Sequence, residues 1–236
     1  MKNKQEKLRI REEMIISKVS SLIIEEGFFN LRMSDVAKSA KVSMGTLYSH
    51  FSSKEDLLIG ISNNLLSKRL DMMKKVKKSF EKPLDQLVAM IIGDYYINSD
   101  LGELSEIETI SNIPSVWQRA SHKSTELLKN IQENLMKDSF FIISECLNSK
   151  ELFPNNEYDQ HTKEQIEISL WSSCIGLRHI FNMPAIEVKA TLNHKDEEEI
   201  CLKLIRAILK GFGGKIEITD EELMIIAEKM KIKKEL

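Results

Sequence analysis

Glycine and proline are scarce in this chain: nine and four among 236 residues. Proteins built from short strands and tight turns use both freely. Here they are widely spaced between long stretches of i, i+4 apolar repeats, so an all-helical protein is expected. Cysteine is scarcer still. Cys146, Cys174 and Cys201 stand far apart, each inside an apolar helical pattern. That odd, unclustered count suggests neither a disulfide framework nor a zinc site. No uninterrupted apolar run approaches the length of a membrane span. The N-terminus is charged at Lys2, Lys4, Glu6 and Lys7, without the apolar core of a signal. A cytoplasmic address with no membrane partner is therefore expected. The motifs of catalysis are also missing: no phosphate-cradling glycine loop, no nucleophile elbow and no two-histidine metal motif. His122 and Glu126 could share a helix face, but no third ligand is evident nearby. His179 follows Cys174 by five residues, which does not put both on one face. Neither an enzyme nor a cofactor nor a metal is expected.

What is present is apolar (42%), charged (30%) and long enough for a small domain plus a larger one. The net charge of −2 hides an asymmetry. Residues 1–78 carry 16 Lys+Arg against 9 Asp+Glu, a net of +7, and the remainder carries 18 against 27, a net of −9. A basic N-terminal third on an acidic body would turn one end toward a polyanion and repel it with the other.

Two short helical patterns lie within Met33 to Phe51. In the first, Met33, Val36, Ala37 and Ala40 share one face; in the second, Leu47, Tyr48 and Phe51 do, with Ser43 as N-cap. Only Lys41 and Val42 separate them, and Val42 is the apolar plug that would pack both helices together. Two short helices on a tight turn are the helix-turn-helix design. Gly27-Phe28, Val36-Ala37, Val42-Ser43, Gly45-Thr46-Leu47-Tyr48, Phe51 and Ser53-Lys54-Glu55-Asp56-Leu57 resemble the DNA-binding domain of TetR-family transcriptional regulators. Two positions depart from that family's habit. Arg32 stands where a Ser or Thr usually caps, and Lys41 where the turn usually has Gly, at a cost of ~1 kcal/mol if φ stays positive.

The resemblance implies an all-α fold: an N-terminal three-helix helix-turn-helix DNA-binding domain plus a C-terminal helical ligand-binding and dimerisation domain. The expected division is residues 1–55 for the head, a connecting helix at about 54–80, and 81–236 for the body. Met44, Gly45, Thr46, Tyr48, Ser49 and His50 are the expected exposed residues of the recognition helix. By resemblance, 44, 45 and 48 face bases, and 46, 48, 50 and Lys54 reach the DNA backbone. Met44 offers an apolar tip suited to a thymine methyl, and Gly45 permits close approach. Thr46 and Ser49 supply hydroxyls, and Lys54 a charge at a helix N-terminus.

Beyond the head, apolar spacing predicts helices over Glu6–Glu26, Lys54–Phe80, Pro83–Asn98, Leu101–Ile110, Ser115–Asn148, Thr162–Phe181 and Asp196–Phe212. A capping box at Thr219-Asp220-Glu221-Glu222 opens the last. Pro154–Asp159 reads as a turn and Met183–His194 as a looser connection. By resemblance, Met90, Tyr95, Trp117, Phe140 and Trp171 surround a ligand cavity of mainly apolar character, with few charges facing inward. They suit a plain core equally. Ser169, Ser172, Ser173 and Gly176 would let helices approach closely. With the helix Asp196–Phe212, they resemble the family's four-helix dimer interface. The expected function is a sequence-specific, homodimeric DNA-binding regulator: a repressor released from its double-stranded operator by an apolar small-molecule effector. Half-sites would lie roughly 34–36 Å apart or a multiple of that. The rival keeps the DNA head and makes the body a docking module for a protein partner.

Overall fold

A computed structural model of the chain describes residues 2–150, 160–182, 194–212 and 218–231. Among these residues every regular element is helical. The helix α1 (Lys2–Glu26) buries Ile15, Ile16, Val19 and Ile23. Ile10 and Met14 do not join them and stay exposed, because helical spacing turns both to the side of α1 away from Ile15, Val19 and Ile23. Gly27 ends the helix in the left-handed region (φ +79), its amide closing on the Ile23 carbonyl at 2.9 Å. Leu31 then turns inward at 4% exposure while Phe29 stays outside.

The helices α2 (Met33–Ser39) and α3 (Met44–His50) follow as the spacing predicts. Arg32 makes no side-chain cap, whereas Ser43 accepts from the Thr46 amide. Lys41 takes φ +54, so the turn holds a side chain where glycine would be unstrained. Lys41→Gly is therefore expected to stabilise the chain by about 0.5–1 kcal/mol. That is the strain relieved less the entropy that glycine adds to the unfolded chain. The thermal midpoint should rise by about 1–4 °C; a lower midpoint would mean that Lys41 makes contacts worth more than its strain.

The long helix α4 (Lys54–Ser79) is capped by Ser53, whose hydroxyl accepts from the Asp56 amide at 2.9 Å. Where α4 passes Phe51 only glycine fits. A Cβ on Gly60 would sit 2.6 Å from Phe51 Cε1, and that ring is itself buried. Next come α5 (Pro83–Leu101), a 3-10 turn at Gly102–Ser105, α6 (Glu106–Ser111), α7 (Pro114–Arg119), α8 (His122–Asn148) and α9 (Gln160–Asn182). The chain closes with α10 (His194–Gly211) and α11 (Asp220–Met230). Thr219 and Glu222 form the expected capping box of α11. The turn expected at 154–159 and all but the end of the connection at 183–194 fall outside the described residues.

One helix expected at 115–148 is two. It breaks at Ala120, whose backbone is extended (φ −87, ψ 162). No glycine or proline marks the place. Instead the buried carboxylate of Asp56 on α4 holds Ser121, accepting from its amide at 3.1 Å and its hydroxyl at 2.8 Å. Ser121 in turn caps α8, accepting from the Ser124 amide at 3.3 Å.

The chain divides into two compact units that do not follow the linear boundary expected near residue 80. The first joins Met1–Lys68 to Glu103–Gln132, and the second joins Arg69–Gly102 to Glu133–Leu236. Helices α4 and α8 each contribute to both units, because α6, α7 and the start of α8 fold with the N-terminal helices. In the first unit Leu47, Leu57, Leu58, Ile61, Ile107 and Leu128 are fully buried. In the second, α5 packs against α9, α10 and α11. Its apolar core includes Met73, Val76, Leu87, Ile142, Ile166 and Leu209.

Candidate nucleic-acid interface

The seven residues of α3 divide cleanly by side. Leu47 is wholly buried, and Phe51 just after the helix is 3% exposed; these two fix the helix on its unit. Met44, Gly45, Tyr48 and Ser49 are exposed and Thr46 is half-buried. The exposed face therefore offers a thioether, a patch of bare backbone, a phenol and hydroxyls, the groups expected of a surface that enters a groove. Its short hydroxyls are engaged locally. Ser43 Oγ accepts from the Thr46 amide at 3.1 Å and lies 2.9 Å from Thr46 Oγ1, while Ser49 Oγ donates to the Thr46 carbonyl at 2.7 Å.

His50 departs from the expectation of exposure. Its side chain is 2% exposed, and Nδ1 lies 3.4 Å from Glu12 Oε1 on α1. The same carboxylate oxygen meets Lys123 Nζ at 3.3 Å. His50 thus ties the end of α3 to α1 instead of pointing to solvent, for a reason 38 residues away in the chain.

Lys54 stands where expected, at the start of α4, but its ammonium is partly engaged. Nζ donates to the Phe29 carbonyl at 3.3 Å and sits 4.4 Å from the Phe28 ring centroid. Burial pushes its pKa down. A phosphate at this helix start would meet a cation already held in place. Arg32, Lys38 and Lys41 are also exposed on this unit, and the sequence reading did not single out any of them for DNA.

Behind this face lies the Asp56 cluster. The carboxylate is 1% exposed and accepts four bonds: from the Ser52 amide (2.8 Å), the Ser52 hydroxyl (3.0 Å) and the two donors of Ser121. Burial pushes the carboxyl up, but the nearby Ser124 hydroxyl and the bonds from Ser52 and Ser121 more than offset it and hold the group below its usual range. Around it, Ser53 Oγ donates to the Arg119 carbonyl at 2.9 Å, and Arg119 meets Glu55 at 3.2 Å. Asn63 donates to the Ser124 carbonyl at 3.1 Å. The start of α4 is thereby bonded to the junction of α7 and α8.

The five residues expected around a ligand are divided between the two units. Trp117 belongs to the first unit, on α7, and the other four to the second. Met90 and Tyr95 on α5 are half-buried at the edge of the second core, and Phe140 on α8 is half-buried. Trp171 faces outward at 52% exposure, because Ile166 and Leu170 set the inner face of α9. Charges do face inward in this unit, against expectation. Arg69 Nε meets Asp94 Oδ1 at 2.5 Å and Arg69 Nη2 donates to Asn98 Oδ1 at 2.5 Å, with Arg69 and Asn98 both buried. Tyr95 donates to the buried Glu197 at 3.3 Å, and burial pushes its phenol pKa up. Burial likewise raises the Cys174 thiol and pushes Cys201 up to about 12, so both are inert at neutral pH.

On α9, Ile168, Trp171 and Ile175 are exposed at 61%, 52% and 37%, and Ser172 lies beside them. Ser169, Ser173 and Gly176 are half-buried on its flank. A Cβ on Gly176 would meet nothing within 4 Å.

Residues 15–61 match the family model described as bacterial regulatory proteins, tetR family. YvdT, an HTH-type transcriptional regulator of Bacillus subtilis, is 39% identical over 62 residues, which is 26% of this chain and 32% of that protein. A fatty acid metabolism regulator protein of the same organism is 29% identical over 82 residues, 35% of this chain and 42% of the relative. The chain thus spans well under half the length of these curated relatives. Among solved structures, the transcriptional regulator FadR from Bacillus subtilis in complex with stearoyl-CoA shares the fold. Its TM-score is 0.63 at 17% identity, over 84% of this chain and 98% of that one. No described helix is long and apolar enough to cross a membrane.

Proposed function

We propose, from the premise that this chain is a tetR-family protein by its N-terminal domain and its fold, that it is a homodimeric transcriptional repressor. It reads operator DNA with α3 and leaves it when an apolar small molecule enters the second unit. The observation that carries the reading is the division of α3 into a buried anchor, Leu47 with Phe51, and an exposed face of Met44, Gly45, Tyr48 and Ser49. A short helix held rigidly by one side and bare on the other is what major-groove recognition needs. His50 is left out of the contact set, and Lys54 is kept as a phosphate contact.

For the effector, one structural neighbour was solved with stearoyl-CoA and one relative is named for fatty acid metabolism. Met90 and Tyr95 offer half-buried apolar surface on α5, while Arg69, Asp94 and Asn98 offer a polar terminus inside the same unit. A ligand with a long apolar body and one polar end fits that chemistry. In the mechanism, the ligand binds the DNA-incompetent state more tightly and releases the operator by population shift. The docking rival has no observation in its favour.

The test is selection of duplexes from a randomised pool by the purified protein, followed by variants. Met44→Ala should change which bases are enriched. Tyr48→Phe and Lys54→Gln should weaken binding to all duplexes about equally, by roughly 3–10-fold each, as lost phosphate contacts do. If no duplex is enriched, the DNA reading fails. If Met44→Ala selects the same bases while Tyr48→Phe alone loses preference, the two roles are reversed. Long-chain acyl thioesters and other apolar compounds are then screened for release of the enriched duplex. Release by a protein partner and by none of these would put the rival in place of the effector.

A further inference from the structure

The helix α1 starts at Lys2, 13 residues before the matched family segment. Its charges are sorted by face. Arg9 is clasped by Glu6 and Glu13, each at 2.6 Å, and Glu12 is taken by Lys123 and His50. Lys7, Arg11 and Lys18 lie four and seven residues apart, a spacing that puts all three on one side of a helix. All three are exposed, and none meets a carboxylate within 4.0 Å among the described residues. Glu6, Glu12 and Glu13 are thus spent on Arg9, Lys123 and His50, and a cationic ridge remains over residues 7–18. It ends at Glu25, one further heptad along the same line.

The eleven rises from Lys7 to Lys18 span about 16 Å, over which one strand of a duplex presents about five phosphates. The same stretch of α1 is tied to the reading helix by its adjoining face. Glu12, next to Arg11, touches His50, the last residue of α3, and both belong to the first unit.

We propose that Lys7, Arg11 and Lys18 form a second, sequence-independent DNA contact, gripping the phosphate backbone alongside the groove that α3 reads. The proposal rests on the reading that this chain binds duplex DNA. It adds residues ahead of the helix-turn-helix, and it makes the first turns of α1 part of the interface. Free ammonium and guanidinium groups displace condensed counterions, so their contribution shows in the salt dependence of binding.

The experiment uses the full chain and a fluorescein-labelled 30-base-pair duplex of random sequence, with dissociation constants measured by anisotropy between 50 and 300 mM NaCl. The triple variant Lys7→Gln, Arg11→Gln, Lys18→Gln should bind with a log–log salt slope shallower by about 2–3, and about eightfold more weakly per lost contact near 0.1 M salt. Far-UV circular dichroism should match the parent, since all three side chains are exposed. A control triple in the second unit, Lys75→Gln, Lys78→Gln, Lys82→Gln, changes net charge equally and should leave the slope alone. An unchanged slope in the α1 variant overturns the proposal, as does an equal flattening in the control. If the parent binds the duplex but only its affinity for phosphatidylglycerol vesicles falls in the α1 variant, the ridge serves a lipid surface and the proposal is wrong. A parent that binds no duplex at any salt overturns the DNA reading and this inference together.

Discussion

Asp56→Ala is expected to destabilise the first unit by about 3–5 kcal/mol, the largest stability effect of any single polar substitution in it. The carboxylate is 1% exposed and accepts four hydrogen bonds, two from Ser52 and two from Ser121. Removing it leaves two backbone amides and the Ser52 hydroxyl without an acceptor, while the Ser121 hydroxyl keeps Ser124 Oγ at 3.0 Å; each orphaned buried donor costs about 1–3 kcal/mol where water does not replace it. Asp56→Asn should cost about half as much, since one amide oxygen still accepts. The folded-state pKa lies below the ordinary carboxylate value. Its contribution is therefore complete above the unfolded-state pKa of about 4 and is lost as pH falls through the lower folded-state value. Urea titrations from pH 7 to pH 3 check both points: the parent should lose stability below about pH 4, and Asp56→Asn should lose less of it over the same range. An alanine variant within 0.5 kcal/mol of the parent would show that water reaches these donors.

Trp171→Glu is expected to raise the dimer dissociation constant at least 100-fold, about 2.7 kcal/mol, the effect of removing a central aromatic from an interface. Ile168, Trp171 and Ile175 form an exposed apolar stripe on α9 in the second unit. Trp171 already stands half in solvent, so the fold of one chain should be altered by no more than about 0.5 kcal/mol. Gly176→Leu is an independent probe. A Cβ there meets nothing within 4 Å, so the first added carbon does not clash within the chain, and a loss of association would point to a second copy. Sedimentation velocity should show both variants as monomers where the parent is dimeric. Two dimeric variants would move the interface off α9.

Most helix boundaries were readable because local chemistry sets them. Ser43 as a cap and the Thr219–Glu222 box stand where the sequence puts them, and Gly27 at positive φ and Ser53 as a cap likewise act within a few residues. The failures share one cause: a partner distant in sequence. Ala120 breaks a continuous apolar pattern because Asp56, 65 residues away from Ser121, claims that serine. His50 is withdrawn from solvent by Glu12. Arg69 looks like one more charge on a lysine-rich helix until Asp94 and Asn98 on α5 receive it. Trp171 reads as core by type alone, but Ile166 and Leu170 already occupy the inner face of its helix. Patterning alone gives the period of a helix. Which of two plausible faces turns inward depends on neighbours that only the fold supplies.

The self-bonded hydroxyls of α3 have a consequence for information. With Ser43, Thr46 and Ser49 occupied by one another and by backbone, and Tyr48 given to phosphate, the proposed interface leaves Met44 as the side chain free to distinguish bases. A bidentate contact discriminates by about 1–3 kcal/mol per base pair, and an apolar tip gives less. One such helix can encode only a short, degenerate word, which recurs by chance thousands of times among the ~10⁶ or more competing sites of a genome. Two copies reading together add their free energies, and the ratio of right to wrong sites is squared. On the proposed reading, a monomeric variant would keep its phosphate contacts and lose that product. Its phenotype would be a protein spread over the whole chromosome, still bound to DNA and silent at its own operator.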